Sequence, residues 1–152
     1  MQYSRNEVEV KAKAAKDASK KLAYLNTAVK NRALLAIADE LVAKEKDILA
    51  ANRKDYTEGE KAGMSAAMLD RLLLNADRIK GIAADVRTVA ALPDPVGETF
   101  EMRTLPNGLQ VGKRRVPLGV IAAIYESRPN VTVDISIPVS YTHLTLPTNR
   151  EV

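Results

Sequence analysis

The segment Val116–Val133 constrains the fold more than any other part of the chain, because it contains the pattern of a strand buried on both faces. Val120–Ile124 is a continuous apolar run rich in β-branched residues, and runs without alternation are typical of parallel sheets. The polar cluster Tyr125–Asn130 follows directly. Since ligands of open α/β sheets bind at the carboxyl ends of strands, the pattern predicts a site here. An ordinary core strand that leaves through a surface loop would give the same pattern.

Hydrophobic spacing predicts a helical N-terminal half. Apolar residues recur with a helical period over four stretches: Glu7–Leu25, Thr27 to about Asn52 with a weaker continuation toward Gly63, Ser65–Leu72, and Ala76–Ala91. Asn26 and Thr27 form a break before the second stretch and supply one candidate N-cap, and Ser65 and Asn75 stand at the starts of the third and fourth stretches. Their short polar side chains are suited to accept hydrogen bonds from the first free backbone amides of a helix, so we expect them to be N-caps.

The hydrophobic period changes to two after the helical half. Thr99–Thr104 and Leu109–Arg115 flank the turn residues Pro106-Asn107-Gly108, which favours a β-hairpin. Because a parallel strand needs neighbours and no further strand pattern is clear after Tyr125, the predicted sheet is incomplete. Asn130–Ile137 could begin a crossover helix or another strand. The predicted fold class is therefore α/β: N-terminal helices, a β-hairpin and the first strand of an incomplete parallel sheet.

Composition excludes several kinds of function. The chain has no cysteine and one histidine, His143, so disulfides, thiol nucleophiles and histidine metal clusters are excluded and we expect no metal site. Aromatic residues make up 4%, too few for a base-stacking surface, while the net charge of +4 permits an anionic small molecule. The N-terminus has no signal-peptide pattern, and no run of about 18 apolar residues exists. We expect a cytoplasmic protein that binds neither nucleic acid nor a membrane.

Residues 139–152 differ from the rest of the chain in having neither a helical nor a strand period. From Val139 to Thr148 the sequence closely resembles what a transposon-type sequencing adapter encodes when it is translated in one frame. We therefore expect the natural sequence to end near Ile137 or Pro138 and residues 139–152 to be a disordered, non-native tail. A genuine disordered terminus is the alternative, and in either case His143 carries no functional argument.

Two neighbouring motifs carry a family resemblance: Arg114–Ile121, which reads RRVPLGVI, and Tyr125–Asp134, which reads YESRPNVTVD. Five further segments agree with them: Lys30–Leu41, Ile48–Asp55, Met68–Leu72, Ile82–Arg87 and Leu92–Gly97. Together, from about Ala12 to Asp134, these residues resemble the N-terminal portion of the gamma-glutamyl phosphate reductases, also called glutamate-5-semialdehyde dehydrogenases.

The resemblance implies an aldehyde-dehydrogenase-like fold, in which residues 1–138 form a truncated N-terminal part of the cofactor-binding domain. It implies the NADPH-dependent reduction of L-glutamyl 5-phosphate to L-glutamate 5-semialdehyde and phosphate, in proline biosynthesis, by a homo-oligomeric enzyme that uses NADP(H). In the implied mechanism, a cysteine thiolate displaces phosphate and hydride reduces the resulting thioester. The family's Gly-rich cofactor segment and its cysteine are both missing from this sequence, so we expect the chain alone to be inactive.

The resemblance also implies roles for residues of the polar cluster. Asn130 is similar to the superfamily asparagine whose amide helps to form the oxyanion hole, and a helix N-cap is its alternative role. Arg128 is predicted to bind the phosphate or carboxylate of the substrate, with a surface salt bridge as the alternative. Tyr125, Glu126 and Ser127 resemble the segment that lines the cofactor cleft, with contacts through backbone atoms.

A different class of function also fits the residues. Basic helices and a basic hairpin could form an interaction module that docks onto nucleic acid or another protein. A steep dependence of DNA binding on ionic strength would favour that interpretation, because counterion release produces such a slope. A third possibility is self-association through the apolar run Val120–Ile124, which has no predicted neighbour to pair with.

Overall fold

A computed structural model of the chain describes residues 5–126 and 128–139. Over these residues it contains six helices and one two-stranded sheet. In chain order the elements are α1 (Arg5–Leu22), α2 (Thr27–Ala43), α3 (Glu45–Lys61), α4 (Ala66–Leu72), α5 (Ala76–Ala90), β1 (Thr99–Thr104), β2 (Gln110–Arg114) and α6 (Pro129–Val139). The elements fall into two compact units. The helical unit comprises Asn26–Leu92 and Ala122–Ile137, and the hairpin unit contains α1 and Pro93–Ile121.

The core of the helical unit is the contact between α2 and α5. Each helix contributes one apolar stripe at the expected helical spacing: Leu34 and Ala38 from α2, and Ile79, Ala83, Val86 and Ala90 from α5. All six side chains are buried. At about 25 cal/mol per Å² of apolar surface removed from water, this stripe is the main source of stability in the unit.

Side-chain caps fix where three of the helices begin. Asn26, Ser65 and Asn75 each accept a hydrogen bond from the backbone N–H three residues later. The Oδ1 atoms of Asn26 and Asn75 lie 3.0 and 2.7 Å from those nitrogens. Each bond satisfies one of the free amides at a helix start, so the predicted N-caps are confirmed, with Asn26 rather than Thr27 as the cap of α2.

One buried polar side chain ties α3 to the linker between α4 and α5. Asn52 is 5% exposed. Its amide Nδ2 donates to the backbone oxygen of Leu72 at 2.8 Å, and its Oδ1 accepts from the backbone N–H of Leu74 at 2.7 Å. These bonds satisfy the backbone oxygen of the last residue of α4 and a backbone amide of the linker that follows it, so Asn52 fixes the course of the linker.

The hairpin unit contains the predicted antiparallel pair. β1 and β2 align Thr99 with Arg114 and Thr104 with Gln110, and a β-bulge lies between Phe100 and Arg103. Within the bulge Glu101 has φ +53°, and its carboxylate pairs with Lys113 at 2.6 Å. Irregularities of this kind bend and twist a strand locally, so the hairpin is confirmed but is less regular than an alternating pattern suggests.

The structure differs from the sequence-based expectation at Val120–Ile124. These residues belong to no strand among the described elements, and Val120, Ile121 and Ile124 are 46%, 44% and 103% exposed. A strand is stabilised by the ladder of hydrogen bonds to its neighbours, and the described residues supply no neighbour at this point. The apolar run is therefore present without the sheet that its pattern predicts.

Candidate functional site

The polar cluster leads directly into α6. Pro129 occupies the first helical position, where its fixed φ favours the helix and its missing N–H costs nothing. The backbone oxygen of Arg128 accepts a hydrogen bond from the N–H of Val131 at 3.1 Å. Arg128 is thus held immediately before the helix, and Asn130 lies in its first turn.

Asn130 has a defined side-chain partner. Its Nδ2 donates to Oδ2 of Asp134 at 3.1 Å, one turn further along α6. Asn130 is half-buried and Arg128 is exposed. Because α6 begins at Pro129, Asn130 is inside the helix rather than at its N-cap. A primary amide carries two N–H donors, and the bond to Asp134 uses one of them.

The predicted cofactor-lining residues precede this turn. The hydroxyl of Tyr125 is hydrogen-bonded to Oγ1 of Thr132 at 2.6 Å, which ties the cluster to α6. Glu126 is exposed, and Ser127 lies outside the described residues. Of the predicted tail 139–152, the structure describes only Val139, the last residue of α6.

A cavity of ≈ 410 Å³ opens beside the start of α6. Its lining includes Arg71 from α4, Arg78, Gly81 and Asp85 from α5, and Arg128 and Asn130. Arg78, Gly81 and Asp85 are spaced so that they lie on one side of α5. This side lines the cavity, while the buried apolar residues of α5 form the core. The structure thus brings Arg128 and Asn130 together with charged residues that lie more than forty positions earlier in the sequence.

Ion pairing divides the charged residues around this cavity into two groups. Arg78 holds the end of α4: its Nη1 donates to the backbone oxygens of Asp70 and Leu73, both at 2.6 Å, and its Nη2 lies 3.0 Å from Oδ1 of Asp70. By contrast Arg71, Asp85 and Arg128 form no ion pair with any described residue. Arg78 is therefore structural, while the other three are available to a ligand.

Gly81 makes the cavity wider along α5. It lies in the helix interior without a positive φ, and a Cβ added to it would meet no atom within 4 Å. Neither backbone geometry nor packing among the described residues requires glycine at this position. A larger side chain there would enter the open space of the cavity that Gly81 lines.

Gly81→Ala should raise the free energy of unfolding by about 0.5–1 kcal/mol, because alanine loses less backbone entropy in a helix than glycine does. Chemical denaturation followed by circular dichroism measures the change. Gly59→Ala in α3 is the matched control: a Cβ at Gly59 would lie 2.7 Å from Sδ of Met64 and 3.2 Å from Leu69. Equal stabilisation by both substitutions would contradict this difference in packing.

Two further searches of the described residues bear on the site. No group of three or more His, Cys, Asp or Glu side chains comes together there as a possible metal site. Likewise, none of the described helices combines the length and apolar character needed to cross a membrane. A larger cavity of ≈ 1160 Å³ adjoins α3 and includes Arg53, Tyr56 and Leu74 in its lining, but none of the predicted site residues.

The order of helices, hairpin and polar loop is that of part of a solved reductase. The matching structure superposes with a TM-score of 0.85 at 40% sequence identity, and the match covers 90% of this chain and 33% of that one. It is the gamma-glutamyl phosphate reductase of Thermotoga maritima. The gamma-glutamyl phosphate reductase of Saccharomyces cerevisiae superposes with a TM-score of 0.82 at 30% identity, covering 93% of this chain and 35% of the yeast protein.

Sequence comparison gives the same family. The gamma-glutamyl phosphate reductase of Dehalococcoides mccartyi is 61% identical over 130 residues, which is 86% of this chain and 31% of the relative. No protein-family model matches the chain. The matched residues are homologous to part of these gamma-glutamyl phosphate reductases, which confirms the resemblance that the motifs predicted. The chain spans about a third of the length of the curated relatives that it matches.

Proposed function

We propose that this chain is the N-terminal part of an enzyme that reduces L-glutamyl 5-phosphate to L-glutamate 5-semialdehyde and phosphate, using NADPH, in proline biosynthesis. The assembled enzyme is proposed to be a cytoplasmic homo-oligomer. The observation that carries the proposal is the loop from Tyr125 to Asp134. It holds the family motif, and it places Arg128 and Asn130 at the same cavity.

Asn130 is proposed to stabilise the acyl oxygen of the substrate. One N–H of Nδ2 donates a hydrogen bond to Asp134. The other N–H is left to donate to a substrate oxygen on which negative charge develops. A donor that is already oriented before the reaction stabilises such charge without reorganisation. The half-buried position of Asn130 limits competition from water for that proton.

Arg128 is proposed to bind an anionic group of the substrate. Its guanidinium carries several N–H donors in a planar fork that matches a phosphate or carboxylate. It lines the same cavity as Asn130 and has no ion-pair partner among the described residues. An oxyanion bound by Arg128 would therefore lie on the same side of the molecule as the acyl group held by Asn130.

The polar cluster is also proposed to contribute to the binding of NADP(H). Because the hydroxyl of Tyr125 is hydrogen-bonded to Thr132, Tyr125 would contact the cofactor through its backbone. Backbone contacts to the cofactor are proposed for Glu126 and Ser127 as well. The bound cofactor would supply the hydride for the reduction.

A chimaeric enzyme tests the proposed function. Residues 1–137 of this chain would replace the matching segment of the full-length Dehalococcoides mccartyi reductase, and NADPH consumption would be followed with glutamyl phosphate. We expect the chimaera to be active and this chain alone to be inactive, because it contains no thiolate. Asn130→Ala in the chimaera should lower kcat by about 10²–10³-fold.

The proposal would be contradicted by a folded chimaera without activity, or by an Asn130→Ala chimaera with unchanged kcat. Turnover by the isolated chain would also contradict it. Thr104→Ala, an exposed position in β1, is the control variant and should leave kcat unchanged.

A further inference from the structure

The cavity beside α6 presents charges of both signs that are not used in ion pairs. Asp85 is negative, Arg71 and Arg128 are positive, and none of the three has an ion-pair partner among the described residues. Arg87 pairs with Asp39 at 2.8 Å, whereas exposed residues such as Arg32 and Asp77 also form no described ion pair. What distinguishes Asp85, Arg71 and Arg128 is that they line one cavity together. The cavity therefore matches a ligand that itself carries both charges.

We propose that this cavity binds the amino-acid end of the substrate, with Asp85 facing the α-ammonium group and Arg71 facing the α-carboxylate. Arg128, beside Asn130, then holds the anionic group at the other end of the molecule. This inference rests on the proposed function and adds specificity-determining residues to it. An α-amino acid carries an ammonium group and a carboxylate group on the same carbon atom, and the lining offers a complementary charge for each.

The dimensions of the cavity agree with a small ligand. Its volume of ≈ 410 Å³ lies within the usual range of roughly 300–1,000 Å³ for small-molecule sites. Leu73, Leu74 and Ile82 add apolar surface to the lining, which suits the methylene groups between the two ends of a glutamyl chain.

Gly81 gives an independent reason to assign a ligand to this cavity. Glycine in a helix interior costs about 0.5–1 kcal/mol relative to alanine, and nothing within 4 Å of its missing Cβ requires that cost. Gly81 lies one turn from Asp85 on the cavity side of α5. Its lack of a side chain leaves room for a ligand carbon beside the Asp85 carboxylate.

The test uses L-glutamate as the probe, with glutarate and 4-aminobutyrate as analogues that lack the α-ammonium group and the α-carboxylate respectively. Each compound would be titrated into the 152-residue chain at low ionic strength, where exposed charges are least screened, and amide shifts would be followed by NMR. We expect L-glutamate to shift the amides of Gly81, Asp85 and Asn130. It should bind about two- to fivefold more tightly than either analogue, as expected for one exposed ion pair.

Substitutions separate the two charge contacts. Asp85→Asn should remove the preference for L-glutamate over glutarate and keep the preference over 4-aminobutyrate, while Arg71→Gln should do the opposite. Gly81→Leu should abolish the shifts without loss of helical circular dichroism, because its side chain would occupy the cavity. Asp77→Asn and Arg32→Gln, exposed and outside the lining, are the charge-matched controls and should change nothing.

The inference is overturned if L-glutamate shifts no cavity amide, or if Asp85→Asn weakens the binding of L-glutamate and glutarate equally. If the chimaera is active but L-glutamate shifts no amide of the cavity, the proposed function stands and this assignment alone is refuted. Binding with the expected selectivity in a chimaera that has no activity would refute the proposed function alone.

Discussion

Leu34→Ala should lower the free energy of unfolding by about 2–5 kcal/mol, the usual cost of removing a large aliphatic side chain from a core. Leu34 is fully buried on the stripe of α2 that faces α5. The surrounding helices cannot collapse completely around the missing atoms, so a cavity adds to the lost transfer energy. Urea denaturation followed by far-ultraviolet circular dichroism gives the value, provided that the slope of the transition stays constant.

Leu35→Ala is the matched control for this measurement. Leu35 is the next residue of the same helix and is 42% exposed, so its truncation should cost less than half as much as that of Leu34. If both substitutions lower the midpoint of denaturation equally, the α2–α5 contact is not the core of the helical unit.

Asn52→Ala should lower the free energy of unfolding by about 1–3 kcal/mol, because it leaves the oxygen of Leu72 and the N–H of Leu74 without their partner. Hydrogen exchange gives a second, local readout. The amide of Leu74 should exchange faster in the variant. This increase in exchange rate should be larger than the increase for amides in the middle of α2.

Lys54→Ala provides the comparison within α3. Lys54 is exposed on the same helix, and alanine is at least as good a helix former as lysine, so stability should change little. Unchanged protection of Leu74 in Asn52→Ala would mean that the linker is fixed by other contacts.

Local chemistry made much of the fold predictable. Ser65 and Asn75 were identified as caps because short polar side chains compete for the first amides of a helix. The hairpin followed from Asn107 and Gly108, and in the structure Gly108 has φ +85° and Oδ1 of Asn107 accepts from Leu109. These features depend on neighbours within four residues, which the sequence displays directly.

Features that depend on distant contacts were missed. The chain breaks between α2 and α3 at Lys44, although Ala43, Lys44 and Glu45 are all good helix formers. α2 packs on α5 while α3 packs on α4, so tertiary contacts place the break. For residues 130–137 a crossover helix and a strand both remained open, because apolar and polar types alternate there as in a strand; the structure shows the helix, as part of α6, which begins at Pro129.

The candidate site was predicted only in part. The motif located Arg128 and Asn130, but it gave no indication that Arg71 and Asp85 would line the same cavity. A sequence-level signal for Asp85 did exist, because Arg78, Gly81 and Asp85 recur at intervals that place them on one side of a helix. Which residues lie across the cavity from this side of α5 depends on how the chain folds back at α6. No local sequence pattern encodes a contact between such distant segments.

The helical unit is assembled from two stretches of chain, Asn26–Leu92 and Ala122–Ile137, with the hairpin residues between them. During synthesis the first stretch leaves the ribosome well before the second. Until then α2 to α5 are the only synthesised helices of the helical unit. The cavity wall that contains Arg128 and Asn130 has not yet formed. A nascent chain arrested before Ala122 should therefore be able to form the α2–α5 core, while the cavity is completed in a later and separable folding step.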